Sequence, residues 1–543
     1  KGLLHMRLLP IGLCLLTALG TTSSCDTQRP PSVDQVSGGL SIRLSSTDVT
    51  IQPGASVTVT VKVRTTMDLK GPVQLKLSYP DGAALPTGLS FAFEPGQLTV
   101  PTGTEIPAQL RLAAETSVKI SEYAFVVTAS SEGREASIPV LLRIAGIGPQ
   151  WARQVGTLAT DTMVAMATDS QGNLYVAMNS TGSLDGKPNQ GDYDGYLLSY
   201  TPSGYLRWTA QIASNKTDYL SGIAVDADDT VWVSGYTFGI LPGQMPPGRT
   251  DGFVGRFAPS GQRLWLKQLG TPEIDKLSGI SVSAQGIATV VGSTEGSYGS
   301  ATNAGLSDIW AVRFAGNGQE LSSLQIGSDQ ADYANAVSID GNQVSYVVGT
   351  TAGVLPTGSA LGLQDAFMLT VQPDGKLGWV RHVGSAGSDE LLATAIDGSG
   401  GIWSAGYTKG TLPGQVSMGG QDGMLVRFAT DGSRTVTKQI GTSYLDSFQS
   451  LAWVGGKLYS IGSTRGAFAG QDASGSFDIF VGRHAADGSL SWISQSGTDQ
   501  ADNAAAIAGH DNQLFVGATT FGVFENLVQL GDSDGYIQAL RVY

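Results

Sequence analysis

Cysteine is almost missing from the 543 residues: there are two, Cys14 and Cys25, both within the first 25 positions. From residue 26 onward no thiol exists for a disulfide or a thiolate–metal site. Cations are scarce as well, 32 Lys and Arg against 46 Asp and Glu, for a formal net charge of −14. A nucleic-acid groove or a polybasic membrane patch needs clustered Lys and Arg, so neither fits this chain. The sequence shows no nucleophile elbow, no P-loop and no zinc motif. No long helical period occurs after residue 35, and the one strongly apolar run, near the N-terminus, is too short for a membrane span. What is plentiful is Gly, at 73 residues, with Ser, Thr and Val around it. That mixture suits short strands joined by tight turns.

The N-terminal stretch reads as an export signal over residues 1–25. Met6-Arg7 gives a basic start, "LLPIGLCLLTALG" an apolar core and "TTSSC" a small-residue cleavage region. Small residues directly before Cys25 resemble the lipobox of bacterial lipoproteins, although Thr22 stands where Leu is usual. The resemblance implies a lipidated Cys25, a short tether over 26–39, and an address at the cell envelope as an outer-membrane or surface lipoprotein. Membrane attachment is then expected through the lipid alone. Ordinary secretion with an unmodified Cys25 is the alternative.

Residues 40–146 alternate apolar and polar positions in run after run, as in "ASVTVTVKVRT", "AQLRLAA" and "YAFVVTAS". Each reads as a strand with one buried face. About seven such strands in roughly a hundred residues predict a β-sandwich. The order "QPGASVTVTVKV … GLSFAFEPGQLTVPTG … YAFVVTAS" resembles bacterial immunoglobulin-like domains, which implies a spacer or adhesive module.

From Gly148 to Tyr543 the chain repeats. The position ending each Gln-x-Gly-like segment is Gly156, Ala213, Gly270, Gly327, Gly384, Gly441 and Gly497, a step of 57 residues five times and then 56. A second series is Asp194, Asp251, Asp308, Asp365, Asp422, Asp478 and Asp534, and a third is Asp161, Asp218, Asp275, Asp332, Asp389, Asp446 and Asp502. Three markers in sevenfold register define a repeat array. Each repeat holds four strand-like runs, for example "SGIAVDA", "TVWVSGYT", "DGFVGRFA" and "RLWLKQLG". Four antiparallel strands per repeat predict the blades of a β-propeller. The last repeat stops after its third strand, and "QWARQVG" at 150–156 is expected to supply the fourth, closing the ring without an open edge. The words "GSDQADYANAVSID", "YVVGTTAG" and "DAFMLTVQPDGKLGW" resemble the seven-bladed beta-propeller repeat (SBBP) family of exported bacterial proteins. That resemblance implies the fold and an extracytoplasmic address, and no settled activity. The fold expected for the whole chain is all-β: an immunoglobulin-like sandwich followed by a closed seven-bladed propeller.

Few of the repeated residues look chemical. Trp151, Trp208, Trp265, Trp379 and Trp492 hold one register, with Ser322 and Val436 in the other copies. They read as fillers between neighbouring blades. His382 replaces a repeated Gln, His484 a repeated Phe and His510 a repeated Asp, which argues against a His-based catalytic or metal cluster. The crossover carboxylates Asp161, Asp218, Asp275, Asp332, Asp389, Asp446 and Asp502 lie where seven could ring the channel mouth. They would suit a hard cation such as Ca²⁺, or each could cap its own turn, and the sevenfold repetition favours capping. No other cofactor is expected. The long second-to-third-strand loops carry Tyr193, Phe238, Tyr298, Phe468, Phe521 and Phe524, which could stack on sugars or anchor a protein, or pack beneath their own loops. The expectation is a non-enzymatic protein that recognises a protein or glycan at the cell envelope. The alternatives are a propeller-type lyase or hydrolase using loop-face carboxylates, and a structural component of a surface assembly.

Overall fold

The computed structural model describes residues 35–37, 39–79, 85–115, 118–245 and 248–542, and among these every regular element is a strand. Cys25, the expected signal and most of the expected tether lie outside the described residues. The chain divides between Ala145 and Gly146 into two units.

The first unit is a pair of five-stranded sheets. One runs in the order 35–37, 40–44, 56–65, 105–114, 89–94, and the other 48–51, 134–144, 122–131, 73–78, 97–98. The sequence alternation produces this directly. In Ser56–Thr65 the side chains of Val59, Val61 and Val63 are 0–2% exposed while their neighbours face outward. They meet Leu110, Leu112, Phe125 and Val127 in one apolar core. Each such buried aliphatic side chain contributes about 1.5–3 kcal/mol.

The second unit is a series of seven four-stranded antiparallel sheets. A representative sheet is Asp218–Val225, Val231–Thr237, Asp251–Phe257 and Arg263–Leu269, hydrogen-bonded in that order. The two middle strands are buried almost throughout, because neighbouring sheets cover both of their faces, and so they read as apolar runs without alternation. The fourth strands are half exposed edges. One sheet is assembled from distant segments. Ile147–Val155 pairs antiparallel with Asp534–Val542, placing Trp151 opposite Ala539 and Gln154 opposite Tyr536. The first repeat's inner strand also bonds to the last repeat: Met163 N donates to Thr519 Oγ1 at 3.0 Å, and Thr168 Oγ1 to Gly509 O at 2.9 Å.

Sheet joins sheet through the repeated Trp. The indole Nε1 of Trp208 donates to Pro259 O, that of Trp265 to Gly316 O and that of Trp379 to Thr430 O, each 51 residues ahead and at 2.9–3.0 Å. The ring lies on the next sheet's tight turn, where glycine is required twice over. Gly261 has φ +85°, and a Cβ there would come within 2.6 Å of the Trp208 indole. Where the outer residue is Ser322 or Val436, the turn glycine persists as Gly375 or Gly488.

Candidate functional site

The crossover carboxylates are the residues on which a cation site was expected. All seven are 0–1% exposed. Each accepts a hydrogen bond from the backbone N–H four residues before it, from Thr157 N to Asp161 through Thr498 N to Asp502, at 2.5 to 2.7 Å. At Asp332 the hydroxyls of Ser328 and Thr351 complete the set, whereas one oxygen, Oδ1, of Asp161, Asp218, Asp275 and Asp502 is buried without a partner. Burial pushes these carboxyls above the usual range, and the hydrogen bonds hold them partly back. Asp161, Asp218, Asp275, Asp332, Asp389, Asp446 and Asp502 therefore each close their own turn and do not converge on a common ion. Among the described residues no group of three or more His, Cys, Asp or Glu is placed to hold a metal.

The Asp that opens each third strand belongs to a second frame, built around the repeated Gln. Gln268 donates from Nε2 to Asp251 and to Gly239 O, and its Oε1 accepts the N–H of Leu241. Gln325, Gln439 and Gln495 repeat this with the N–H of Tyr298, Leu412 and Phe468. That register explains three of the loop aromatics. Tyr298, Phe468 and Phe524 stand where other repeats have Leu241, Leu355 and Leu412, which are fully buried. Phe468 packs edge-on to Phe480 at 4.8 Å, and Phe524 stacks on Tyr536 at 3.8 Å. Tyr298 lies against Trp310 and bonds Glu320. These three plug the frame beneath their loops.

One histidine serves the frame too. His382 takes the Gln position beside Asp365, and Gly358 leaves the room its ring needs, since a Cβ there would sit 2.3 Å from Nε2. His484 Nδ1–H donates to Gly488 O, which leaves Nε2 of the neutral ring to accept from Ser460 Oγ at 2.8 Å, and burial brings its pKa down to about 4. His484 is thus a neutral core residue at ordinary pH.

The remaining aromatics mark a different place. One position after each crossover Asp, the repeats diverge, with only Tyr occurring twice: Thr162, Tyr219, Lys276, Tyr333, Glu390, Ser447, Asn503. Each pairs across the sheet with a residue that also varies, though less, Tyr219 with Tyr236, Lys276 with Ser293 and Glu390 with Tyr407. Two residues further on, every inner strand bulges, at Val164, Ser221, Ser278, Asn335, Leu392, Gln449 and Ala505. A bulge breaks the alternation and re-aims side chains. Most of these positions, though not Leu392, Ser447, Gln449 or Asn503, line a cavity of about 630 Å³ bounded by Tyr219, Tyr236, Lys276, Tyr333, Asn335 and Glu390 among others. The second-to-third-strand loops leave from this same end.

Two predicted aromatics join it. Tyr193, Tyr219, Tyr236 and Phe238 form a run with successive ring centroids 5.0, 5.2 and 6.1 Å apart. The Lys276 ammonium lies 5.2 Å from the Tyr236 ring centroid, and among the described residues no carboxylate is within ion-pair distance of it. Glu390 is held from both sides, by Asn335 Nδ2 at 2.8 Å and Tyr407 Oη at 2.7 Å. Burial raises the Tyr219, Tyr236 and Tyr407 phenols, and the bond to Glu390 raises Tyr407 further, so all three keep their protons. Phe521, the counterpart of Phe238 in the last repeat, is 43% exposed at the same end. The site therefore offers aromatic faces, one cation and one carboxylate with lone pairs to spare. Tyr219, Tyr236, Lys276, Tyr333, Glu390 and Tyr407 were not singled out from sequence. The signal that marks them is divergence at a register position flanked by the constant Asp and Thr.

Sheets of four antiparallel strands, repeated and docked side by side, define a β-propeller protein. Residues 150–185 match the family described as Beta-propeller repeat (SBBP). The chain is also 25% identical over 377 residues to the Regulatory protein FlaEY of Caulobacter vibrioides, covering 60% of this chain and 39% of that protein's length. Solved structures that align include a quinonprotein alcohol dehydrogenase-like protein of Bacteroides thetaiotaomicron (TM-score 0.29, 10% identity, 72% of this chain and 93% of that one). A rhamnogalacturonan lyase of Bacillus licheniformis aligns at TM-score 0.33 and 12% identity, over 93% and 90% of the two chains. Likeness at this level carries nothing about chemistry.

Proposed function

We propose that the chain is an exported, lipid-anchored binding protein of the cell envelope, in which an immunoglobulin-like module precedes a closed seven-bladed propeller. The propeller recognises its ligand, a glycan or protein, at the crossover end. One observation carries this reading. Positions that are constant through the repeats are consumed by capping and sheet docking, while the positions that diverge gather round one cavity with partly exposed aromatic rings. A concave site with stacking surfaces and a few converging polar groups is the form ligand sites take. Exposed apolar side chains on the surrounding loops, among them Leu158, Ile240, Met245, Leu363, Val416 and Val528, give the same end a broad contact rim. The anchor is Cys25, which intact-mass spectrometry of the mature N-terminus tests: a terminus elsewhere than an acylated Cys25 removes it.

Binding of arrayed envelope glycans and envelope proteins by the purified protein tests the site. Tyr219→Ala and Tyr236→Ala should each weaken binding about tenfold, the worth of one lost aromatic contact, with the melting temperature held. Undiminished binding by both variants would remove the cavity from function. A second reading, a propeller-type lyase or hydrolase, draws on Glu390, the carboxylate that lines the cavity beside the protonated Tyr407. Glycan turnover abolished by Glu390→Gln with binding intact would establish it in place of the first.

A further inference from the structure

We infer that the cavity takes an acidic glycan, whose carboxylate pairs with Lys276 while its sugar face lies on the tyrosine run; this rests on the crossover-end binding reading. The charges around the cavity are unequally compensated. Glu390 has a donor on each oxygen, Asn335 on Oε1 and Tyr407 on Oε2. Lys276 has only the face of Tyr236, with no ion pair among the described residues. An ammonium left with free donors at a partly desolvated wall is a point of attraction for an anion, and the pairing is stronger there than in bulk water. The repeat pattern isolates this charge. At the register of Lys276 no other copy carries a cation, the counterparts being Thr162, Tyr219, Tyr333, Glu390, Ser447 and Asn503.

The neighbouring groups set what else the ligand must be. Tyr219 and Tyr236, paired in the sheet beside Lys276's own, present half-exposed rings 5.2 Å apart, and Tyr193 and Phe238 extend the run. Flat apolar faces beside a cation suit a ring that is apolar on its C–H face and charged at its edge. Each oxygen of Glu390 keeps a lone pair after Asn335 and Tyr407 are satisfied. Glu390 therefore accepts hydroxyls, and it disfavours a second carboxylate near its own wall. A sugar ring bearing one carboxylate and several hydroxyls meets all three demands. A polyanion such as nucleic acid meets only the first.

The experiment is calorimetric titration of the full chain with a panel of uronate oligosaccharides, each beside its carboxyl-reduced neutral form. The result expected is binding of an acidic member, weakened by salt, with the carboxyl-reduced form at least about tenfold weaker. Lys276→Met should remove that preference, with the melting temperature unchanged. Equal affinity for both forms, or a preference that survives Lys276→Met, overturns the acidic assignment. If the neutral form's binding is then still lost in Tyr219→Ala, the cavity reading stands without it. Absence of binding by every panel member overturns the acidic assignment too, and the arrayed proteins and glycans with Tyr219→Ala decide the cavity reading separately.

Discussion

Single residues in this chain divide by whether the repeat tolerates their change. Trp208 reaches the following sheet by an indole hydrogen bond and covers the Gly261 turn. Trp208 is only partly buried, so Trp208→Ala should cost about 2–3 kcal/mol, less than emptying a fully buried aromatic site, read from urea melts; a loss under about 1 kcal/mol would contradict the docking role. The crossover carboxylates make an opposite-sign pH prediction. Burial raises Asp275's pKa above its ordinary 3.8. A raised folded-state value means the folded form binds the proton more tightly. Asp275 thus contributes stability that is full below the unfolded pKa and is lost as pH rises through its folded value. The stability of the native chain relative to Asp275→Asn should increase as pH falls from about 7 to about 4. A difference that shrinks on acidification would show that this carboxylate is stabilised as an anion.

At the scale of strands and loops, what the sequence made legible was whatever the repeat holds constant. The three marker series gave the strand boundaries, because Asp161 and its counterparts begin inner strands and Asp194 and its counterparts begin third strands. Loop aromatics were legible as a class and not as individuals. Tyr298, Phe468 and Phe524 share a register with buried Leu241, so aligning the loops on the Gln frame separates these plugs from Phe238 and Phe521. The cavity was not legible, since it depends on a bulge in every inner strand, and an extra residue that breaks alternation leaves no mark in composition. The Gln frame gives an element-level prediction. Gln268→Leu strips a hydrogen bond from the buried Asp251 and leaves the Leu241 N–H unpaired. It should cost about 1–3 kcal/mol and should raise hydrogen exchange in the loop after Thr237 ahead of the strands. Uniform exchange through the sheet would contradict a local role.

At the scale of the molecule, the sheet made from Ile147–Val155 and Asp534–Val542 joins the two ends of the second unit. A four-stranded sheet cannot cover its own two faces, so stability is shared among neighbours. Deleting 147–155 would leave Asp534–Val542 as an open edge with unpaired backbone groups. The second unit should then lose its single cooperative transition or self-associate; a monomer that melts cooperatively at the native temperature would contradict a shared stabilising role for this sheet. A frame of this kind permits the inner-strand positions to diverge freely, which is why Tyr219, Lys276 and Glu390 can differ at one register without cost to the sheets that carry them.

Recognition at the crossover end is the central claim. Hydrogen-exchange mass spectrometry of the full chain, with and without a saturating bound glycan, measures this directly. The predicted result is slowed exchange at the inner-strand starts, around 218–222, 275–279 and 332–336, and in the loop through Phe238. Protection confined to the tight turns at the other end, around Gly204, Gly261 and Gly318, would contradict it.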